Sequence, residues 1–256
     1  MKYCIEIAVT DYTTARAAAA GGADRIELCS ALSEGGITPS HALIKQCRQD
    51  ITLPLFPIIR PRAGDFLYSE EEFRIIQQDI LTCKRLGCDG IVTGILNRDG
   101  TVDRKKTALL RELAYPMEMT FHRAFDRTRD PYEAMEELIQ IGCDRILTSG
   151  QQATAPEAIP LLGALIKTAG DSIIIMPGSG VRPANINQLA AQTGASDFHA
   201  SLRRTAPSRM AYLHPAFAHT DDYTLAAVEE EEVRELRRAL YSSPGSITPP
   251  MEPDNQ

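Results

Sequence analysis

The sequence predicts a single parallel (β/α)8 barrel, and three observations carry that prediction. A motif recurs four times, as GGADRIELCS (21–30), LGCDGIVTGIL (86–96), IGCDRILTSG (141–150) and TGASDFHASL (193–202). Each copy has a glycine, a small residue, usually an aspartate, and then a short apolar run that ends in polar residues. Glycine after an amphipathic stretch stops a helix, so each copy reads as a helix-to-strand junction. Four further apolar runs, YCIEIAV, LPLFPIIR, MEMTFH and SIIIMPG, fall between the copies and complete eight strands. Finally, the intervening segments begin with helix caps. The length of 256 residues suits one barrel, since such barrels use about 250 residues as one domain. A doubly wound sheet is the other fold with this alternation.

Taken in order, the first strand CIEIA and the second RIELC each carry an acid among apolar neighbours, Glu6 and Glu27. Thr38 and Pro39 open the helical PSHALIKQCRQD. The third strand runs through FPIIRPRAGDF, and Ser69 with Glu72 forms a capping box before FRIIQQDILTCKRLG. Asp130, Pro131 and Glu133 open PYEAMEELIQIG. After Ser201 the pattern loosens over about 203–223, and a charged helix is expected at about 224–240. The barrel domain is therefore 1–240, followed by a polar, proline-rich tail, 241–256, expected to be disordered.

Composition excludes several classes. A net charge of −7 with no basic block argues against nucleic acid as a partner. No run approaches the roughly 18 apolar residues of a membrane span, and MKYCIEIAV lacks a signal-peptide core, so a cytoplasmic protein off the membrane is expected. The six cysteines, at 4, 29, 47, 83, 88 and 143, show no C-x-x-C pair and read as reduced thiols. Oligomeric state stays open, a homo-oligomer included.

In such a barrel the active site lies at the carboxyl ends of the strands. Acids at Glu6 and Glu27 would sit beneath apolar helix faces if they pointed outward, so the lumen is their expected place. The third strand adds Arg60 and Arg62, the fifth His122, Arg123 and Asp126, the sixth Thr148 and Ser149, and the eighth His199 and Ser201. Glu6, Glu27, Arg60 and His122 are the candidate catalytic set. Arginines among buried acids at a strand end suit a planar, bidentate anion. The seventh strand ends in PGSGVRPANI, where Gly178, Ser179 and Gly180 can turn backbone amides toward an anion, in the region where these barrels cradle phosphate. Each feature also has a structural reading: an ion network within the barrel, solvated loop arginines, a hydrogen-bonded core histidine, or a tight glycine turn.

The segments GGADRIELCSALSEGGITPS, PIIRPRAGDFLYS, IVTGILNRDGTVD, TFHRAFD, ILTSGQ and GSGVRPANI together resemble the CutC family, known as copper homeostasis proteins. The resemblance covers nearly the whole chain up to the region of Tyr212. It implies a TIM-type barrel, a cytoplasmic location and a role in copper handling through copper(I). Cys29, at the end of the second strand, is the candidate ligand. Family members often carry a cysteine two positions after the first-strand acid, where this chain has Ala8. Copper(I) sites usually gather two or more soft sulfur donors. Two functions are thus expected: copper handling, or an enzyme that acts on a small anionic or phosphorylated molecule, with a lumenal carboxylate or His122 moving a proton.

Overall fold

The computed structural model describes residues 3–217, 220 and 223–241. Eight strands alternate with helices: β1 (Cys4–Val9), α1 (Tyr12–Ala20), β2 (Arg25–Leu28), α2 (His41–Asp50), β3 (Leu55–Pro57), α3 (Glu70–Arg85), β4 (Gly90–Thr93), α4 (Arg104–Ala114) and β5 (Glu118–Phe121). There follow α5 (Pro131–Ile141), β6 (Arg145–Thr148), α6 (Ile159–Ala169), β7 (Ile174–Pro177), α7 (Ile186–Thr193) and β8 (Asp197–Ala200). Every pairing among these strands is parallel, in the orders β3-β2-β1-β8 and β4-β5-β6-β7. A bridge from Ile58 to Val92 joins β3 to β4. β7 and β8 lie side by side, yet no strand pairing joins them among the described residues. This is the (β/α)8 barrel that the repeats predict.

The recurring aspartate has a clear job. Asp24, Asp89 and Asp144 each accept an amide from the first or second residue of the preceding strand, from Ile5 (3.0 Å), Leu55 (2.9 Å) and Met119 (2.8 Å). Their own amides return bonds to the carbonyls of those residues. Each copy therefore locks a helix end to two adjacent strand starts and satisfies amides that would otherwise be buried without partners. In the fourth copy Ser196 takes this place, and its carbonyl accepts the amide of Cys4.

The caps fall largely as expected. Ser69 and Glu72 form the capping box of α3, and Asp130 caps α5 with Pro131 in its first turn. The second helix starts later than Thr38 and Pro39 suggest: Ser40 is the cap, its hydroxyl accepting the amide of Leu43. The expected helix at 224–240 is corrected at its front end. Residues Thr224–Ala227 form a strand, β10, paired antiparallel with β9 (Arg204–Pro207), and the charged helix α8 occupies Glu230–Tyr241. The irregular segment is thus framed by a hairpin, and the acidic run at 229–232 places the helix N-terminus after it rather than at 224. The predicted tail begins inside α8 at Tyr241, and 242–256 lies outside the described residues.

Side-chain alternation fills the lumen in layers of four. From the bottom, the strand register stacks Arg25, Gly90, Arg145 and Asp197, then Glu6, Phe56, Thr120 and Met176. Glu27, Val92, Leu147 and His199 come next, then Ala8, Ile58, His122 and Gly178. Phe56 can occupy the lumen because position 90 is glycine; a Cβ there would fall on its ring. Near the top, Gly178 lets Leu147 close in, since a Cβ there would fall 2.4 Å from Leu147 Cδ1.

Candidate active site at the barrel mouth

The floor of the lumen is a closed set of ion pairs. Asp197 accepts from Arg25 at 3.2 Å and from Arg145 at 3.3 Å, and both guanidinium groups stack on Phe56, 5.2 and 5.6 Å from the ring centre. Arg25 also donates to Glu6 at 2.5 Å, and the other Glu6 oxygen meets Nδ1 of His199 at 2.7 Å. Burial alone would raise the Glu6 carboxyl, but the Arg25 charge and the His199 hydrogen bond outweigh it and hold it well below the usual range. For His199, burial disfavours the cation, yet the Glu27 and Glu6 carboxylates more than compensate and raise its pKa.

Glu27 is different. It is 2% exposed, and its Oε2 is buried with no hydrogen-bond partner among the described residues. Burial, aided by the neighbouring Glu6 charge and opposed by His199, pushes its pKa up to about 7. His122 is the second such group. It is 4% exposed, and its Nδ1 accepts the amide of Ala124 at 3.3 Å. That places the hydrogen of the neutral ring on Nε2, which is buried and unpartnered. Burial, then the Arg60 charge, pushes His122 down to about 3, so the ring stays neutral. Gly94 makes room for it, since a Cβ there would lie 2.6 Å from Nδ1, and Phe66 flanks it with ring centres 4.8 Å apart.

Glu27 and His122 open into one cavity of about 590 Å³, shared with Arg60, Arg123, Ser179, Gly180, His199 and Ser201 among the expected residues. Glu6 sits one layer below and reaches the cavity through His199. Arg60 is 4% exposed, and its guanidinium clamps two loops, donating to the carbonyls of Glu34 (2.7 Å), Gly36 (3.0 Å) and Gly64 (2.7 Å). Only its Nε is left without a partner among the described residues. Arg62 turns away to Glu72 (2.5 Å) and its own loop. Asp126 is a buried hub that accepts from Thr148, Ser149, Gln151 and Arg123, and Arg123 also donates to Ser149. These bonds hold the loop after β6 in place, and neither Asp126 nor Ser149 lines the cavity. Gly178 lies against Leu147 and His199 as a spacer.

The mouth also holds three arginines that were not singled out from the sequence: Arg127, Arg182 and Arg203. None makes an ion pair with a described residue, whereas Arg25, Arg60, Arg62 and Arg145 are all engaged. The loop after β7 adds uncommitted amides: those of Ser179, Gly180 and Val181 donate to no described residue, while the Ser179 hydroxyl donates to the Ala153 carbonyl. Ser179 and Gly180 both have φ of 75°. Parity would have revealed Arg25 and Arg145, which stand two residues before the lumenal Glu27 and Leu147. Nothing local marks Arg127, Arg182 or Arg203 as more than loop residues.

Glu6, Glu27 and His199 offer ligand atoms within 4.8 Å of one another. Glu6, however, already spends both oxygens on Arg25 and His199, and oxygen with imidazole donors do not suit copper(I). Cys29 sits apart in an apolar cluster with Phe56, Ile58 and Val92, its thiol donating to the Val9 carbonyl at 3.5 Å. Burial, then the Glu27 charge, raises its pKa and disfavours the thiolate. Ala8 supplies no second sulfur. At the opposite end of the barrel, the Cys83 thiol is raised first by a hydrogen bond with Cys88 and then by burial.

The CutC family model matches residues 3–204. A protein of Chromobacterium violaceum, described as a family protein CutC, is 45% identical over 244 residues, covering 94% of this chain and 99% of its own. The Homo sapiens copper homeostasis protein cutC homolog is 40% identical over 239 residues, covering 91% of this chain and 88% of its own. The crystal structure of CutC from Streptococcus agalactiae superposes with a TM-score of 0.75 at 30% identity, covering 78% of this chain and 98% of that one.

Proposed function

The chain belongs to the CutC family, and from that premise we propose that the barrel mouth is an active site, where Glu27 moves a proton on a small anionic molecule held by the mouth arginines. One observation carries the reading: Glu27 is a buried carboxyl whose Oε2 has no hydrogen-bond partner among the described residues, facing the cavity with a pKa raised to about 7. A carboxyl that only stabilised the fold would be paired, as Glu6 is. An acid with a pKa near the working pH serves best in both directions of proton transfer. His199, oriented by Glu6, sets the charge beside Glu27, and the neutral His122 offers a hydrogen bond to the substrate. Arg182 and Arg203 with the loop after β7 supply positive charge for the anion. The test uses inorganic phosphate and sulfate. A ligand bound only to the folded state stabilises it by RT ln(1 + [L]/Kd), so millimolar anion should raise the melting temperature of the wild type, and raise it much less in Arg182→Ala/Arg203→Ala. No rise, or an equal rise in both proteins, removes the reading.

A second reading, copper(I) handling in the cytoplasm, follows the name of the human relative and is favoured by the contact between the Cys83 and Cys88 thiols. Two sulfurs suit copper(I), and this pair supplies the second sulfur that Cys29 lacks, though Cys83, like Cys29, has its thiol form favoured. Titration of the reduced protein with copper(I) against a competing chelator decides. The active-site reading expects weak binding. Tight binding that is lost in Cys83→Ser establishes the copper reading at that pair, and tight binding lost only in Cys29→Ser places it at the second strand.

A further inference from the structure

We propose that the reaction is an enolisation: removal of a proton from a carbon next to a carbonyl in a small phosphate monoester, with Glu27 as the base and the His122 Nε2–H as the donor to the carbonyl oxygen. This rests on the active-site reading above and adds the class of reaction and substrate.

The floor of the cavity holds two buried polar atoms without partners, and they are of opposite kinds. Glu27 Oε2 accepts or carries a proton. His122 Nε2 can only donate, because its Nδ1 is occupied by the amide of Ala124. Proton abstraction beside a carbonyl needs this pair: a base for the carbon and a neutral donor for the oxygen that gains charge. Phe66 and Leu147 line the same cavity and give its inner end an apolar wall. Covalent routes find less support. Among the described residues no lysine lines the cavity, so none of them offers an imine there. Neither Ser179 nor Ser201 hydrogen bonds to Glu27 or His199, and Cys29 is tied to the Val9 carbonyl, so no nucleophile is paired with a base among the described residues.

The opposite pole selects the phosphate. Arg182 and Arg203 are exposed, line the cavity and make no ion pair with described residues. Consecutive amides at Ser179, Gly180 and Val181 are uncommitted in a turn with two positive φ values, and successive amides in such a turn converge on the several oxygens of a phosphate. Glu34 lies at the rim as well, leaving the arginines in the majority. A substrate with phosphate at the rim and carbonyl at the floor spans the two poles.

The step balances without a co-reactant. The Glu27 carboxylate forms an O–H bond with the proton, the broken C–H pair becomes the C=C bond, and the carbonyl π pair moves to the oxygen, which the His122 Nε2–H holds. Glu27 then returns the proton to carbon.

The test compares two probes by calorimetry: inorganic phosphate, and phosphoglycolohydroxamate, a planar enediolate mimic carrying the same phosphate. Mimics of a reactive intermediate bind about 100-fold or more tighter than ground-state ligands, so the hydroxamate should exceed phosphate by at least that factor. Glu27→Gln and His122→Gln should each cost the hydroxamate about tenfold or more while leaving phosphate affinity within about twofold. Melting curves of the free variants separate these losses from misfolding, and two variants on different strands keep the test valid if one fails to fold. Equal affinity for the two probes in the wild type overturns the enolisation while leaving the anion site standing, as does an equal loss of both probes in Glu27→Gln. Absence of phosphate binding instead overturns the active-site reading beneath it.

Discussion

The floor and the mouth of the lumen are built from the same residue types and obey opposite rules. At the floor, Arg25, Arg145, Asp197 and Glu6 each find an opposite charge within 3.3 Å. At the mouth, Glu27 and His122 are buried without partners for Oε2 and Nε2, and Arg182 and Arg203 make no ion pair with described residues. Buried charges that are paired hold a fold in one arrangement, whereas unsatisfied polar groups cost stability and persist where a ligand completes them. Polar character alone therefore does not mark a site in this barrel. What sets the mouth apart is incomplete pairing gathered around one cavity, since Tyr68, Thr107 and Glu137 also hold unpartnered buried atoms but lie away from it.

The comparison breaks most readily at the floor. Arg25→Met leaves Glu6 and Asp197 each short of a partner in a buried layer, and removal of one member of a buried pair costs about 3–5 kcal/mol. Urea unfolding should show a loss of that size; a change under about 1 kcal/mol would mean that the floor is not held by its ion pairs.

A smaller and opposite effect is expected at Glu27. The folded chain keeps this proton to about pH 7, while the unfolded chain releases it near 4.5. Wild-type stability from this group is therefore present below about pH 4.5, falls as pH rises toward 7 and then levels off. Glu27→Gln cannot ionise, so it should match the wild type near pH 4 and exceed it at pH 8 by up to about 3 kcal/mol. A difference that is the same at both pH values would sink the raised pKa. The smallest effect belongs to the rim: Arg182→Ala should change unfolding by no more than about 0.5 kcal/mol, yet reduce the phosphate-linked rise in melting temperature. A large loss of stability there would show the rim arginine to be structural.

The barrel was legible in the sequence because its repeat is local. A glycine, a small residue and an aspartate fix one helix end and two strand starts, and all three lie within a few residues of each other. The placement of Glu6, Glu27 and His122 in the lumen followed from parity along single strands. Parity also held for Arg25 and Arg145, but a view fixed on strand ends passed over them. Arg60 and Arg62 look alike in RPR, and only the paths of loops at 34–36 and 64–67 separate a buried clamp from a residue that faces Glu72. Asp126 reads as a site residue beside His122, and its role as a hub depends on Ser149 and Gln151, more than 20 positions away.

The unpaired edge between β7 and β8 also bears on time. Among the described residues, seven of the eight neighbouring strand pairs are tied by backbone bonds or a bridge, and at the eighth, β7 beside β8, His199 lies close to Gly178. Opening that junction breaks no ladder, so amide protons along its two borders should trade with deuterated solvent sooner than those of β1 or β5. The loops carrying Ser179 and Arg203 leave from those borders. Entry and departure of a guest would then be paced by the spreading of one seam, while the acid beneath it, fixed to the firmly laddered β2, keeps its station.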